Sequence, residues 1–197
     1  MLDLVGFDDG SGNGRDLWVG GDFSRAGAST SACIARWEGC AAQTFCDGDG
    51  LDPDVTTACP CGNSGAPGRG CANSVEVRGA RLETIGTIEP DTLRLLGSGM
   101  PPTSFALYTK GDAARFGGAP FGDGILCLDG NLVRLRTKQN AGGTSSFPES
   151  GDPLLSTRGQ TPPGSAVEAY YQVCYRNAAA FCTPETFNVT NGVRVVW

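Results

Sequence analysis

The stretch that decides the fold is residues 167–176, which read Val-Glu-Ala-Tyr-Tyr-Gln-Val-Cys-Tyr-Arg. The odd-numbered positions are all apolar or aromatic, whereas Glu168, Gln172 and Arg176 stand at even-numbered positions. Successive side chains of a β-strand point to opposite faces, so this alternation predicts a strand with one buried face.

Further strand-like runs surround this one in residues 73–197, and turns rich in Gly, Pro and Asp separate them. Eight short strands joined in this way favour a β-sandwich, of which the jelly roll is one arrangement. Burying one large apolar side chain contributes roughly 1.5 to 3 kcal/mol, and the region has enough of them for a core. The other runs are residues 74–82, 92–96, 104–108, 125–128, 132–136, 186–189 and 193–197.

The composition of the whole chain agrees with an all-β fold. Thirty Gly and twelve Pro, with 18% charged residues, indicate many turns and little helix. The formal charge of −6 opposes binding to nucleic acid, whose partners carry clustered Lys and Arg. No run approaches eighteen apolar residues, so we expect no membrane span.

Nine cysteines point to an oxidising location. Disulfides persist in exported proteins while cytosolic thiols stay reduced, so we expect most cysteines to form bridges in a secreted or cell-surface protein. Zinc is the alternative, but Cys59 and Cys61 are one residue apart and the chain has no His. Because nine is odd, at least one thiol is free or bonded to another chain.

Residues 40–72 are expected to form a connector. The segment is rich in Gly, Pro, Asp and Asn and has almost no apolar content, so covalent or ionic ties must give it its shape. Four of the cysteines that we predict to be bridged lie here: Cys46, Cys59, Cys61 and Cys71.

Residues 1–39 read as short strands split by Gly-rich turns, which is typical of one propeller blade or β-repeat. One such unit cannot bury its apolar face, and at least three are normally needed. The N-terminus also lacks the basic and apolar regions of a signal peptide. We therefore expect the chain to be the C-terminal part of a longer exported protein, or a gene product whose start is placed too late.

Two sets of residues carry a family resemblance: residues 7–39, and the later segments 58–63, 65–74, 99–102, 121–124, 175–182 and 187–192. Residues 7–39 resemble the β-propeller-like tandem repeats of large exported bacterial proteins, notably of planctomycetes. The later segments resemble a module at the ends of such proteins. That resemblance implies that Cys127 pairs with Cys182 and that Cys174, where the module usually has an aromatic residue, is the odd thiol.

The absence of His excludes Ser-His-Asp and Cys-His catalysis and His-ligated metals. Paired carboxylates remain, since a glycosidase needs one acid and one base or nucleophile about 5 to 10 Å apart. None of the glutamates stands in a recognisable signature. They are Glu38, Glu76, Glu83, Glu89, Glu149, Glu168 and Glu185.

The acidic string of residues 47–54 is a candidate calcium site. Asp47, Asp49, Asp52 and Asp54 alternate with glycines and other residues, and Ca²⁺ takes six to eight oxygen ligands. The spacing resembles calcium loops of the dockerin and thrombospondin types. In the alternative interpretation, these aspartates accept hydrogen bonds from local backbone amides in a turn-rich linker.

Two further places are candidate ligand contacts. Arg134 and Arg136, with Lys138, alternate along one strand and would share a face that meets an acidic glycan, or would form a solvated surface. Tyr170 is expected on the outer face of its strand, where it can stack on a sugar, while Tyr171 faces the core.

The favoured function is therefore a non-catalytic secreted or cell-surface module that binds glycan or protein, or docks its parent protein to the cell envelope. The rival is a carbohydrate-active hydrolase that uses two carboxylates.

Overall fold

Short strands make up nearly all the regular structure of this computed structural model, which describes residues 3–7, 16–23, 25–26, 29–30, 33–37 and 42–197. In this described part no helix has the length and apolar character needed to cross a bilayer. The strands are β1 Asp3–Phe7, β2 Asp16–Gly20, β3 Arg25–Ala26, β4 Ser29–Thr30, β5 Ile34–Trp37, β6 Ala42–Phe45, β7 Arg81–Ile85, β8 Arg94–Ser98, β9 Phe105–Gly111, β10 Ala113–Phe121, β11 Gly124–Asp129, β12 Val133–Gln139, β13 Ser145–Phe147, β14 Glu168–Arg176, β15 Phe187–Val189 and β16 Gly192–Val196, and the one-turn helix α1 is Leu155–Gly159.

The N-terminal strands form an antiparallel sheet of their own, in the order β1-β2-β5. Trp18 of β2 lies opposite Val5 of β1 and Arg36 of β5. Strands β3 and β4 pair as a short hairpin. Short strands are thus present within residues 1–39 as expected, whereas the Gly-rich residues 8–14 between β1 and β2 lie outside the described residues.

The strand predicted at residues 167–176 is β14, and it lies at the centre of a six-stranded antiparallel sheet. This large sheet runs in the order β12-β9-β14-β16-β6, and β15 pairs with the C-terminal part of β14. A smaller sheet has the order β13-β8-β7. The two sheets share one hydrophobic core, in which Leu82, Leu95 and Phe147 of the small sheet meet Tyr108 and Tyr171 of the large one. The all-β prediction is therefore confirmed.

The polar tips of the core tyrosines have partners, as buried hydroxyls require. Tyr108 donates to the backbone oxygen of Ser145 at 2.6 Å, and Tyr171 accepts from Trp197 Nε1 at 2.9 Å. Burial raises the pKa of Tyr108 to about 12. The aromatic core is neutral and fully hydrogen-bonded at these two positions.

One predicted strand, residues 74–82, begins later than expected. Regular pairing starts at Arg81, and the preceding residues form turns. The reason is local: Asn73 Oδ1 accepts hydrogen bonds from the amides of Val75 and Glu76, at 3.0 and 2.9 Å. An Asn side chain that satisfies backbone donors in this way stabilises a turn in place of a strand.

Three disulfides cross-link the described residues, and all six cysteines predicted to be bridged take part. They are Cys46–Cys127, Cys59–Cys71 and Cys61–Cys182. Two of them join the connector to distant parts of the sandwich.

The expected Cys127–Cys182 pair is wrong. The reason is that Cys127 packs beneath the connector against Cys46, with Cα atoms 6.1 Å apart, whereas Cys182 lies after β14 beside Cys61. Cys174 is unpaired as expected, and so is Cys33, while Cys40 lies outside the described residues.

Residues 42–72 pack as part of the sandwich. Strand β6 is an edge of the large sheet, and a second small core joins the cysteines of the connector to Ile125 and Cys127 of β11. Backbone segments also approach closely, since a Cβ on Gly48 would lie 2.4 Å from the amide nitrogen of Cys71. The connector thus packs against the strands that follow it, and the boundary expected between residues 72 and 73 stays a prediction.

Candidate functional site

A cleft of about 660 Å³ opens on the face of the large sheet that points away from the main core. Its floor is formed by side chains from β6, β14 and β16. Residues 47–55, here called the acidic loop, form one wall, and residues 114–116 of β10 form the other.

The acidic loop brings all four predicted aspartates to the cleft. Asp49 Oδ1 accepts from the amide of Leu51, and Asp52 accepts from the amides of Cys46 and Asp54, each at 2.9 Å. Asp47 Oδ2 accepts from the amide of Gly68 at 2.6 Å. These bonds are the local turn contacts of the linker interpretation.

The same bonds bear on the calcium prediction, because the oxygens that accept them are turned toward the backbone. Among the residues that the structure describes, no three acidic or cysteine side chains come together as a cation site. Calcium binding by the acidic loop stays a prediction.

Asp47 differs from the other aspartates of the acidic loop because one of its oxygens is both buried and without a hydrogen-bond partner in the part of the chain that the structure describes. Oδ1 is buried and accepts no hydrogen bond from any described residue. Burial raises the pKa of Asp47, and the nearby carboxylates of Asp49 and Asp52 raise it further. Burial therefore favours the protonated form of this carboxyl group.

The floor of the cleft holds Tyr170, on the outer face of β14 as predicted. Its ring meets Phe45 edge-to-face, with ring centres 5.6 Å apart, and its hydroxyl donates to Glu168 at 2.6 Å. Arg194 lies opposite Tyr170 in the strand register, is paired with Glu168, and donates to Gln43 at 3.2 Å. The hydrogen bonds from Arg194 and Tyr170 lower the pKa of Glu168.

Arg134 and Arg136 lie elsewhere, on β12 at the opposite edge of the large sheet. A bulge between them shifts the register, so Arg134 lies opposite Thr109 and Arg136 opposite Tyr108. Because opposed residues share a face, the two arginines point to different faces and do not form the single surface expected from their spacing. Arg136 pairs with Asp152 at 3.3 Å.

The two walls of the cleft are tied to each other through the backbone. The amide of Gly117 donates to the oxygen of Asp54 at 2.8 Å, and the amide of Thr57 donates back to the oxygen of Gly117 at 2.9 Å. The buried Cys46–Cys127 disulfide fixes the base of the acidic loop to β11. The cleft is therefore held by covalent and backbone bonds.

Sequence reasoning found the aspartates and Tyr170 but missed the remaining lining. Arg194 was identifiable as a polar position within the apolar run 193–197, but its place beside Tyr170 depends on strand register. The lining residues without a sequence signal include Gln43, Phe45, Arg115 and Phe116. The carboxylates that line the cleft are aspartates, and none of the described glutamates takes part.

Comparison with known proteins adds no relative to this description. The chain matches no family model, and no curated protein and no solved structure matches it.

Proposed function

We propose that this chain is a non-catalytic binding module of a secreted or cell-surface protein, and that its cleft takes a glycan or a segment of another protein. The observation that carries the proposal is the pre-formed cleft, whose walls are joined by the Cys46–Cys127 disulfide and by backbone hydrogen bonds. A site that is already ordered loses little conformational entropy when a ligand enters. Disulfide use supports the extracellular location.

The lining suits recognition. The volume of the cleft falls within the range of about 300 to 1,000 Å³ that is usual for ligand sites. Phe45 and Tyr170 supply aromatic surface, while Gln43, Arg194 and the aspartates supply hydrogen bonds. Phe116, with 82% of its surface exposed, stands on the β10 wall as a further contact.

The test is retention of the oxidised protein on a panel of insoluble polysaccharides and immobilised peptides, with soluble sugar release measured in the same samples. Phe116→Ala should weaken binding about fivefold or more, because it removes a large aromatic contact from the wall of the cleft. Phe105→Ala is the matched control, because Phe105 is also exposed but does not line the cleft. Equal binding by Phe116→Ala and Phe105→Ala would show that the cleft is not the binding site.

Running the panel with and without calcium tests the prediction made from the aspartate spacing. Calcium-dependent retention, or a Tm that rises when calcium is restored after chelation, would support a bound ion at the acidic loop. An unchanged Tm would contradict calcium binding and leave the local turn contacts as the role of these aspartates.

One observation favours the second candidate, a carbohydrate-active hydrolase. Asp47, whose pKa is raised by burial, lies beside Asp49 and Asp52 in an open cleft, and such enzymes use two neighbouring carboxyl groups as acid and base. Release of soluble sugar that disappears in Asp47→Asn would establish hydrolysis and overturn the non-catalytic proposal.

A further inference from the structure

We infer that the ligand of the cleft is an extended segment of protein that adds as a new strand beside β6 and places a Lys or Arg side chain against the acidic loop. This inference rests on the proposed function, because it takes the cleft to be the binding site. It chooses the protein ligand over the glycan.

The first argument is the position of β6, Ala42–Phe45. It is the last strand of the large sheet, and no described strand pairs with its outer side. In an antiparallel edge strand, alternate residues direct their N–H and C=O groups away from the sheet. Two of the four residues of β6 therefore offer a backbone donor and acceptor to an added strand.

The second argument is the direction of the cleft. Gln43, Thr44 and Phe45 line it in succession. Gln43 and Phe45 share the outer face of the sheet with Tyr170 and Arg194, so the cleft starts at this edge and crosses β16 to β14. A peptide that enters the cleft at this edge can complete the backbone ladder beside β6, which a glycan has no amides to do.

The two edges of the large sheet also differ in how they are protected. The opposite edge, β12, has a bulge and carries Arg134, Arg136 and Lys138, and both features discourage pairing with another strand. Strand β6 reads Ala-Gln-Thr-Phe, with no charge, and pairs with β16 in unbroken register. It therefore has neither of these obstacles to an added strand.

Charge identifies the kind of segment. All four aspartates of the acidic loop line the cleft, whereas its two arginines are paired with carboxylates outside the lining, Arg194 with Glu168 and Arg115 with Asp129 at 3.5 Å. The cleft is left with excess negative charge. A Lys or Arg side chain supplies both positive charge and N–H groups.

The rim fits the other side chains of an added strand. Leu51 on the acidic loop and Phe116 on β10 are 78% and 82% exposed, and both line the cleft. They offer apolar contacts on its two sides. An extended peptide alternates its side chains between two faces, so basic and apolar residues at alternating positions match this arrangement.

The probe is a library of random twelve-residue peptides displayed on phage and selected against the oxidised protein, followed by synthesis of the enriched peptide. We expect enrichment in Lys or Arg, and loss of binding when alternate peptide amides are N-methylated. Hydrogen exchange should slow at outward-facing amides of residues 42–45 when the peptide is bound. Enriched peptides without basic residues, or binding that survives methylation in both registers, would overturn the inference.

Variants of the acidic loop test the charge argument. Asp49→Asn combined with Asp54→Asn keeps the side-chain oxygen that caps Leu51 and removes two charges. Peptide binding should weaken about 2- to 30-fold, the range for two partly exposed ion pairs, and the loss should shrink at high salt. Glu185→Gln, which removes an exposed carboxylate outside the cleft, should leave binding unchanged. Equal binding by the double variant and this control would also overturn the inference.

The polysaccharide panel separates this inference from the proposed function. Glycan retention that Phe116→Ala abolishes, without any selected peptide, would overturn the strand-addition model and leave the cleft as a binding site. If neither glycan nor peptide binds at the cleft, the proposed function and the strand-addition inference are both overturned.

Discussion

Gln172 holds the β10–β11 hairpin, and with it one wall of the cleft, against the large sheet. Its side chain is 2% exposed. Nε2 donates to the backbone oxygens of Ile125 and Thr190, at 2.8 and 2.7 Å, and Oε1 accepts from the amide of Cys127 at 3.1 Å. The side-chain amide thus pairs with β11 as a backbone peptide group of a neighbouring strand would.

Gln172→Met removes these three bonds while nearly keeping the shape and volume of the side chain, so the cavity contribution is small. Each buried group left without a partner costs about 1 to 3 kcal/mol. Three such groups, with some relaxation and entry of water, give an expected loss of about 3 to 6 kcal/mol. Since a domain is stable by only about 5 to 15 kcal/mol, this one change should be severe.

Urea unfolding of the oxidised protein measures the loss as a change in midpoint at constant slope. Gln43→Met is the matched control, because Gln43 is exposed and should cost less than about 0.5 kcal/mol. A loss below about 1 kcal/mol for Gln172→Met would refute the reasoning, since it would mean that the hairpin does not depend on these bonds.

Three further outcomes follow from the structure. Iodoacetamide at pH 8 should label exposed Cys33 rapidly and Cys174 about 100-fold more slowly than an ordinary thiol, because burial raises the pKa of Cys174 from 9.0 to about 11 and the thiolate is the reactive form; peptide mass spectrometry measures both rates. Asp47→Asn should raise the free energy of unfolding at pH 7. Because the folded-state pKa of Asp47 is raised, its favourable contribution is present below pH 3.8 and is lost as the pH rises through the folded-state value, so the gain of the variant should vanish at low pH in urea titrations. Gly48→Ala should prevent stable folding, because the new Cβ would lie 2.4 Å from a backbone nitrogen, while Gly20→Ala, whose Cβ meets nothing within 4 Å, should be tolerated in thermal melts.

The sequence was most informative where the pattern is local. The alternation at residues 168–176 identified β14, placed Tyr171 in the core and placed Tyr170 outside. Strand β6 was missed because Ala-Gln-Thr-Phe has no apolar alternation, and its strand form depends on pairing with β16. Strand β10 was missed because Gly117, Gly118 and Pro120 interrupt its sequence pattern, and the two glycines coincide with a break in its register to β11.

Pairings between distant residues were beyond the sequence for a different reason. The cysteines that form bridges were identifiable from their number and setting, but which thiols meet depends on how strands stack, so the expected partner of Cys127 was wrong. The cleft could not be predicted for the same reason, because it too depends on how distant strands pack. Tyr170, Arg194 and the acidic loop are far apart in the chain and meet because β14, β16 and β6 are neighbours in that order.

The connector explains why the disulfides and the cleft occur together. A loop that presents four aspartates to one cleft cannot bury enough apolar surface to hold its own shape, and charge repulsion works against its closure. Cross-links offset this deficit. Cys46 precedes the aspartates and is bonded to β11, while Cys59–Cys71 closes the segment that follows them. The covalent frame therefore stabilises a concentration of negative charge that the small core around Ile125 would not hold alone.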